Sequence, residues 1–329
     1  MNLTTEQILS ALKGAPAARV ENGLVIPERY RDEQRENFGP HIYQRGRSYC
    51  HASVTLDFYT DSRTMVLYYK NTWNESDFPP FFFDVYENGI MTQRLGFAHK
   101  RRDFEKEPDG QMMIPLTAGE KRVTVYLTNL FHVELARVTL DDGATFRPYT
   151  HRGRFLAFGD SITEGFQATV PSMTYVNALS RLMDYEAVNY GIGGDAVRPE
   201  AVLPGTYPDC DFVTVAMGTN DLPNAEEADF RQRVIAYHDR FHEAFPDKPV
   251  FILTPIFRFA KCAEQPAGHL KHFSAILAES ARRYDNFRVI DGLTLIPPEK
   301  FLYHDKTHPN VGGFAVMAIN LKVAIEGML

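Results

Sequence analysis

A change in hydrophobic period near residue 150 constrains the fold of this chain more than any other feature of its sequence. Before that point apolar residues recur at every second position, as in Val54, Leu56 and Phe58, which is the period of a half-buried strand. Beyond it, short apolar runs alternate with longer segments of helical period. The two patterns belong to different architectures, so the sequence predicts one domain over 1–150 and a second over 151–329.

The N-terminal domain is predicted to be an all-β sandwich of the jelly-roll kind. A short helix leads it and ends at Gly14, because glycine is favoured just past a helix. The segments Phe81–Tyr86 and Ile90–Phe97 flank an Asn88-Gly89 pair, and this dipeptide suits the tight turn of a hairpin. Many short strands with turn residues between them are typical of sandwiches.

The C-terminal domain is predicted to be a three-layer α/β structure. Strands that alternate with helices of this length build parallel sheets with helices on both faces. The predicted strands are Phe155–Phe158, Ala187–Tyr190, Phe212–Met217, Pro249–Leu253 and Phe287–Ile290. The predicted helices are Tyr175–Met183, Glu226–Phe245, Leu270–Arg283 and Gly313–Ile325.

Composition and charge exclude several classes of protein. The formal net charge is −7, and the basic run Lys100–Arg102 is followed at once by acidic residues, so we expect no nucleic-acid partner. No segment approaches the ~20 apolar residues of a membrane span. The N-terminus lacks a basic region followed by an apolar run, which predicts a cytoplasmic protein without membrane contact. Three widely spaced cysteines predict neither a disulfide framework nor a zinc site. The sequence leaves the oligomeric state open, a homo-oligomer included.

Four short polar motifs carry the chemistry. They are GDSITEG at 159–165, NYGIGGD at 189–195, GTND at 218–221 and DKTHPN at 305–310. The first three directly follow predicted strands. Sites in open parallel sheets form outside the carboxyl ends of strands, so we expect these loops to converge.

The residue types in these loops suit acyl transfer without a metal or an organic cofactor. A serine hydroxyl such as that of Ser161 becomes nucleophilic when a base takes its proton, and histidine titrates near neutrality. Asp305 and His308 are three residues apart, so one loop can supply both the base and the carboxylate that orients it. The start of the helix at Ser161, the glycine-rich turn at Gly194 and the Asn220 side chain can donate N–H groups to an oxyanion.

These motifs resemble the Ser, Gly, Asn and His blocks of the SGNH (GDSL-type) hydrolase family, in family order, over about residues 152–329. Lys306 stands where the family frequently has glycine, and the G-x-S-x-G elbow of α/β-hydrolases is absent around the serine. The N-terminal half resembles, in strand content and order, the β-sandwich that precedes the catalytic domain in some bacterial carbohydrate esterases. The resemblance implies Ser161, His308 and Asp305 as catalytic residues and Ser161, Gly194 and Asn220 as oxyanion-hole donors.

The function that follows is a serine esterase that hydrolyses small acyl esters, chiefly O-acetyl groups on carbohydrate, through an acyl-enzyme. Its partner would be a small-molecule or oligosaccharide ester. A lipase or lysophospholipase is the alternative among enzymes, and a carbohydrate-binding protein with a decayed catalytic domain is the alternative outside them. Structural interpretations also stand: Ser161 can be an N-cap, Asp160 and Asp195 can hold turns, and His238 and His242 can lie on a solvated helix face.

Overall fold

The structure, a computed structural model, describes residues 1–73, 81–97, 109–222, 225–260 and 269–329. These residues form two compact units, the first comprising 1–30, 46–152 and 169–172 and the second 31–45, 153–168 and 173–329. Segment 31–45 thus belongs with the C-terminal residues, although most strands of the first unit follow it in the chain. The domain limits at 1–150 and 151–329 stay a prediction. The basic run Lys100–Arg102 and Cys262 lie outside the described residues.

Antiparallel strands build the first unit. They are β1 (Leu12–Lys13), β2 (Ala17–Glu21), β3 (Leu24–Glu28), β4 (Thr55–Thr60), β5 (Thr64–Trp73), β6 (Phe81–Glu87), β7 (Ile90–Phe97), β8 (Asp109–Pro115), β9 (Lys121–Tyr126), β10 (His132–Leu140) and β11 (Arg147–Pro148). Within the described residues they form two sheets, one in the order β1-β4-β9-β6-β7 with β11 paired to β4, and one in the order β2-β3-β10-β5-β8.

The two sheets of this unit share an aromatic core. The ring of Tyr69 on β5 lies with its centroid 5.5 Å from that of Phe81 and 5.3 Å from that of Phe83, both on β6 of the other sheet. The Asn88-Gly89 pair joins β6 to β7 with φ of 50° and 82°, the left-handed conformation that this hairpin turn requires. The predicted all-β sandwich is confirmed.

Helices accompany both units. They are α1 (Thr5–Ala11), α2 (Asp32–Glu36), α3 (Ile42–Arg47), α4 (Ser161–Glu164), α5 (Tyr175–Met183), α6 (Glu227–Ala244), α7 (His269–Ala281) and α8 (Val311–Glu326). Single 3₁₀ turns occupy Pro171–Met173, Pro199–Ala201, Gly292–Thr294 and Lys300–Leu302. Across the described ranges, no helix combines the length and the apolar character that crossing a bilayer requires.

Parallel strands form the sheet of the second unit. They are β12 (Gly153–Gly159), β13 (Tyr185–Gly191), β14 (Phe212–Ala216), β15 (Val250–Leu253) and β16 (Phe287–Ile290). Their order among the described residues is β13-β12-β14-β15-β16. Helices α5 and α8 cover one face through residues such as Leu179 and Phe314, and α6 covers the other, where Phe241 packs 4.9 Å from Phe158. Burial on both faces explains why these strands read as continuous apolar runs. The predicted three-layer α/β fold is confirmed.

The register of this sheet brings the motif-bearing loops to one edge. Gly159, the last residue of β12, pairs with Gly191 of β13 and with Ala216 of β14. Ala216 in turn pairs with Leu253, the end of β15. The strand order reverses between β12 and β14, and such a switch point opens a crevice at the carboxyl edge. The loops after β12 and β14 flank that crevice.

Candidate active site

Ser161 is the first residue of α4, immediately after the end of β12. The helix is capped by Asp160, whose side chain accepts a hydrogen bond from the Ile162 amide at 2.9 Å. The interpretation of Ser161 as the N-cap is therefore wrong, because its neighbour fills that position. The hydroxyl of Ser161 is left for another contact.

That contact is with His308. Ser161 Oγ lies 2.9 Å from His308 Nε2, and His308 Nδ1 lies 2.8 Å from Asp305 Oδ2. The other carboxylate oxygen, Oδ1, accepts the backbone N–H groups of Thr307 at 2.6 Å and of His308 at 2.7 Å. The loop thus fixes the carboxylate, the carboxylate fixes the imidazole, and the imidazole faces the serine.

Burial and charge set the protonation of this chain of hydrogen bonds. The pKa of His308 lies below its ordinary value, and burial is the main cause. The charges of Arg258 and His304 lower this pKa further, whereas the carboxylate of Asp305 acts to raise it. Burial acts to raise the pKa of Asp305, but the hydrogen bonds from His308 and Thr307 outweigh it and hold that pKa below its usual range. The neutral imidazole beside an ionised carboxylate is the form that can accept a proton from serine.

Two of the three predicted oxyanion-hole donors, the Gly194 backbone and the Asn220 side chain, lie in loops that contact each other. Asn220 donates from Nδ2 to the backbone carbonyl of Asp195 at 2.7 Å. Since a carbonyl oxygen can only accept, the end of the Asn220 side chain that faces it is the NH₂ group. The second N–H of that group is directed away from the Asp195 carbonyl. Gly194 has a φ of +73°, a conformation that favours glycine over any residue with a side chain.

Charged side chains hold these loops in place. Asp195 accepts from Arg198 Nε at 2.7 Å, and Asp221 accepts from the Val197 amide at 3.0 Å and from Arg233 Nη1 at 2.6 Å. Asp195 therefore has the structural role that its position predicts. These bonds tie the loop after β13 to the loop after β14 and to helix α6.

Asp160 is the most strongly perturbed carboxyl group of the site. It is fully buried, and burial raises its pKa to about 7, with the charge of Arg258 acting in the opposite direction. Its hydrogen bond to the Ile162 amide persists in either protonation state, because an amide needs only a carbonyl-type acceptor. Asp160 thus serves the conformation of the strand–helix turn, as predicted.

Segment 31–45 contacts the glycine-rich loop and the residues that follow it, which the motif pattern did not reveal. Gln34 donates to the Thr206 hydroxyl at 2.9 Å, and the guanidinium of Arg198 lies 5.3 Å from the ring centroid of Phe38. A Cβ added at Gly194 would meet the ring of Tyr43 at 3.4 Å. Since about 150 residues separate these partners, no local spacing in the sequence indicates the contact.

The helix histidines have structural partners. His238 Nδ1 lies 2.9 Å from Ser280 Oγ, and burial lowers the pKa of His238 to about 3. The prediction of a solvated face is wrong for His238, which is completely buried against α7. His242 faces Asn286 instead. In the ranges that the structure describes, no group of three or more His, Cys, Asp or Glu side chains has the arrangement of a metal site.

The parallel sheet and the motif loops at its edge resemble a hydrolase domain of the SGNH type. Residues 157–316 match the GDSL-like Lipase/Acylhydrolase family, so the family resemblance predicted from the sequence is confirmed. No curated protein sequence matches the chain.

Solved structures extend the likeness to nearly the whole chain. A salicylyl-acyltransferase from a tetracycline biosynthetic pathway is 23% identical with a TM-score of 0.80, over 97% of this chain and 96% of that one. A candidate GDSL-like lipase from Bacteroides ovatus is 18% identical with a TM-score of 0.78, over 100% and 97%. An acetyl xylan esterase from Butyrivibrio proteoclasticus is 13% identical with a TM-score of 0.62, over 84% and 89%. The shared fold thus includes an N-terminal β unit.

Proposed function

We propose that this protein is a serine esterase that removes small acyl groups, chiefly O-acetyl groups of carbohydrate, through an acyl-enzyme. One observation carries the proposal: Ser161, His308 and Asp305 are joined by hydrogen bonds of 2.9 and 2.8 Å. The other Ser–His pair, Ser280 and His238 of helices α7 and α6, is buried in the core, so the Ser161 pair is the one suited to chemistry.

The proposed reaction has two halves. In the first, Ser161 Oγ attacks the ester carbonyl while His308 Nε2 takes the serine proton, and the tetrahedral oxyanion receives N–H groups from Ser161, Gly194 and Asn220. The intermediate collapses, the alcohol leaves with the proton from His308, and the acyl group stays on the serine. In the second half, water loses a proton to His308 and attacks the acyl-enzyme, which releases the acid and restores the hydroxyl.

An acetylated carbohydrate as substrate is supported by the fold that this chain shares, over 84% of its length, with an acetyl xylan esterase. The test is acetate release from a panel of acetylated mono- and oligosaccharides, run beside a chain-length series of p-nitrophenyl esters. We expect acetyl esters to be hydrolysed fastest and the rate to fall sharply beyond butyrate. A preference for long acyl chains would instead identify a lipase-type esterase.

Asn220→Ala is expected to lower kcat by about 10²–10³-fold, because it removes one oxyanion donor. Steady-state kinetics on p-nitrophenyl acetate measures the loss, and KM should change much less than kcat. Asn286→Ala is the matched control, since Asn286 also donates to backbone carbonyls, those of Phe245 and Lys248, but outside the motif loops. Equal kcat values for Asn220→Ala and the control would remove Asn220 from the oxyanion hole.

The pH profile of kcat/KM is expected to have its acidic limb below the ordinary histidine value of about 6.5. The base works as the neutral imidazole, and the pKa of His308 is lowered, so the active form persists to lower pH than it would for an exposed histidine. Acetate release followed between pH 4 and 8 measures the limb. Asp160→Asn removes a second group, whose pKa burial raises to about 7, while keeping an acceptor for Ile162; a limb that vanished in this variant would belong to Asp160.

A second candidate function is acyl transfer to an alcohol, favoured by the match to a salicylyl-acyltransferase over 97% of this chain. The same acyl-enzyme would form, and an acceptor hydroxyl would take the place of water in the second half. The partition is measurable: with a p-nitrophenyl ester and increasing acceptor alcohol, a transferase yields new ester at the expense of free acid. An esterase yields free acid throughout.

A further inference from the structure

Arg258 lies in the loop that follows β15, close to the two loops that carry Asn220 and His308. Its side chain is nearly buried, with 9% of its surface exposed. Nη1 donates to the backbone carbonyl of Thr219, and Nη2 donates to the hydroxyl of Thr307 at 3.3 Å. One guanidinium thus binds two loops that are distant in the sequence.

The two acceptors are the residues immediately before the proposed catalytic groups. Thr219 precedes Asn220, the proposed side-chain oxyanion donor, and Thr307 precedes His308, the proposed base. A shift of either acceptor moves the backbone from which the neighbouring functional side chain projects. The planar fork of an arginine fixes the separation and the orientation of two acceptors at once, which a lysine ammonium cannot do.

The loop that carries Arg258 is itself anchored to the histidine loop. The amide of Ala260 donates to the carbonyl of Lys306 at 2.8 Å, and the Tyr303 hydroxyl donates to the carbonyl of Phe257 at 2.8 Å. These bonds hold the backbone on either side of Arg258, so the guanidinium projects from a fixed support.

We propose that Arg258 is a positioning residue that clamps the Asn220 loop to the His308 loop and so sets the distance between the oxyanion donor and the base. The inference rests on the proposed esterase function, since it assigns a role within that site. Arg258 acts through Thr219 and Thr307 and is not itself required to touch the substrate.

The charge of Arg258 has an effect on pKa values that is separate from its hydrogen bonds. Its positive charge lowers the pKa of His308, together with burial and the charge of His304, and against the carboxylate of Asp305. The same charge acts to lower the pKa of Asp160, the residue after β12, against the larger effect of burial. Removing the charge therefore raises the pKa of His308, whereas replacing arginine by lysine keeps the charge and loses the fork.

The experiment compares Arg258→Met and Arg258→Lys with the wild type. We expect kcat to fall on the order of 10²-fold in Arg258→Met, the size of effect that a displacement of about 1 Å can produce. Arg258→Lys should recover only part of this loss. The acidic limb of kcat/KM should move to higher pH in the methionine variant and stay in place in the lysine variant, a split that a merely structural role does not produce.

Arg154→Met is the matched control. Arg154 also donates to two acceptors distant in the sequence, the Glu186 carboxylate and the Asp209 backbone carbonyl, but at the amino end of β12, away from the motif loops. This control should lose thermal stability without a change in kcat or in the pH profile. An Arg258→Met enzyme with kcat within twofold of the wild type would overturn the proposal.

Amide hydrogen exchange tests the clamp independently of activity. Exchange in 218–222 and 304–309 should accelerate together in both Arg258 variants and remain unchanged in Arg154→Met. Thr307→Val removes only the bond from Arg258 to Thr307 and should accelerate exchange in 304–309 alone. This variant keeps the test possible if Arg258→Met fails to fold. If the wild type hydrolyses no ester, the proposed function fails, but amide exchange still tests whether Arg258 holds the two loops together. Unchanged exchange in both loops of the Arg258 variants would contradict the positioning role.

Discussion

Ser161→Ala is expected to lower kcat for acetyl ester hydrolysis by roughly 10⁶-fold, the loss seen when a serine hydrolase is deprived of its nucleophile. Alanine keeps the backbone N–H at this position, and Asp160 rather than Ser161 caps the helix, so the strand–helix turn should persist. What disappears is the oxygen 2.9 Å from His308 Nε2. A burst assay with p-nitrophenyl acetate and labelling by a fluorophosphonate measure the change, and both signals should be absent.

The chain supplies its own control for this variant. Ser280 forms another Ser–His hydrogen bond, 2.9 Å to His238 Nδ1, and both residues are buried between α6 and α7. Ser280→Ala should lower stability by about 1–3 kcal/mol, because it leaves a buried polar group without its partner, and it should leave kcat and labelling intact. Comparable esterase activity in Ser161→Ala and the wild type would exclude the acyl-enzyme at this residue.

Asp305→Asn is expected to lower kcat by about 10⁴-fold through the tautomer of the histidine. Oδ1 of Asp305 accepts the Thr307 and His308 amides, so an asparagine will keep its oxygen there and turn its NH₂ group toward His308 Nδ1. That nitrogen must then be the unprotonated one, which leaves the proton on Nε2. An imidazole protonated on Nε2 cannot accept the proton of Ser161.

Asp291→Asn provides the comparison for this substitution. Asp291 also caps a short turn, accepting the Leu293 amide at 3.0 Å through one carboxylate oxygen, and the same oxygen accepts from the Thr254 hydroxyl rather than from a histidine. Its replacement should leave kcat unchanged. An NMR measurement of the His308 tautomer in Asp305→Asn tests the cause directly. Retention of more than a tenth of wild-type kcat would mean that Asp305 does not set the tautomer.

Local patterns were sufficient for several elements of the described residues, but not for all: the leading helix was predicted to reach Gly14 and ends at Ala11. The strand at Phe287–Ile290 and the helix at Tyr175–Met183 have the predicted bounds, and the hairpin turns at Asn88-Gly89. These elements depend on period, caps and turn residues that lie within a few positions of one another. The prediction that His238 is solvated was wrong because α7 packs on that face of α6. This contact joins residues far apart in the chain, and no residue near His238 indicates it.

The sequence by itself determined which residues are candidates for the chemistry and where they lie along the chain: a serine after one strand, a glycine and an asparagine after two others, and an aspartate three residues before a histidine. Parallel strands of known order carry such loops to one edge, so their meeting was foreseeable. The tertiary structure alone decided what holds them there. The Arg258 bonds to Thr219 and Thr307, and the placement of segment 31–45 on the Gly194 loop, join residues far apart in the chain. Contacts of that kind arise from the packing of finished elements, and no spacing between neighbouring residues encodes them.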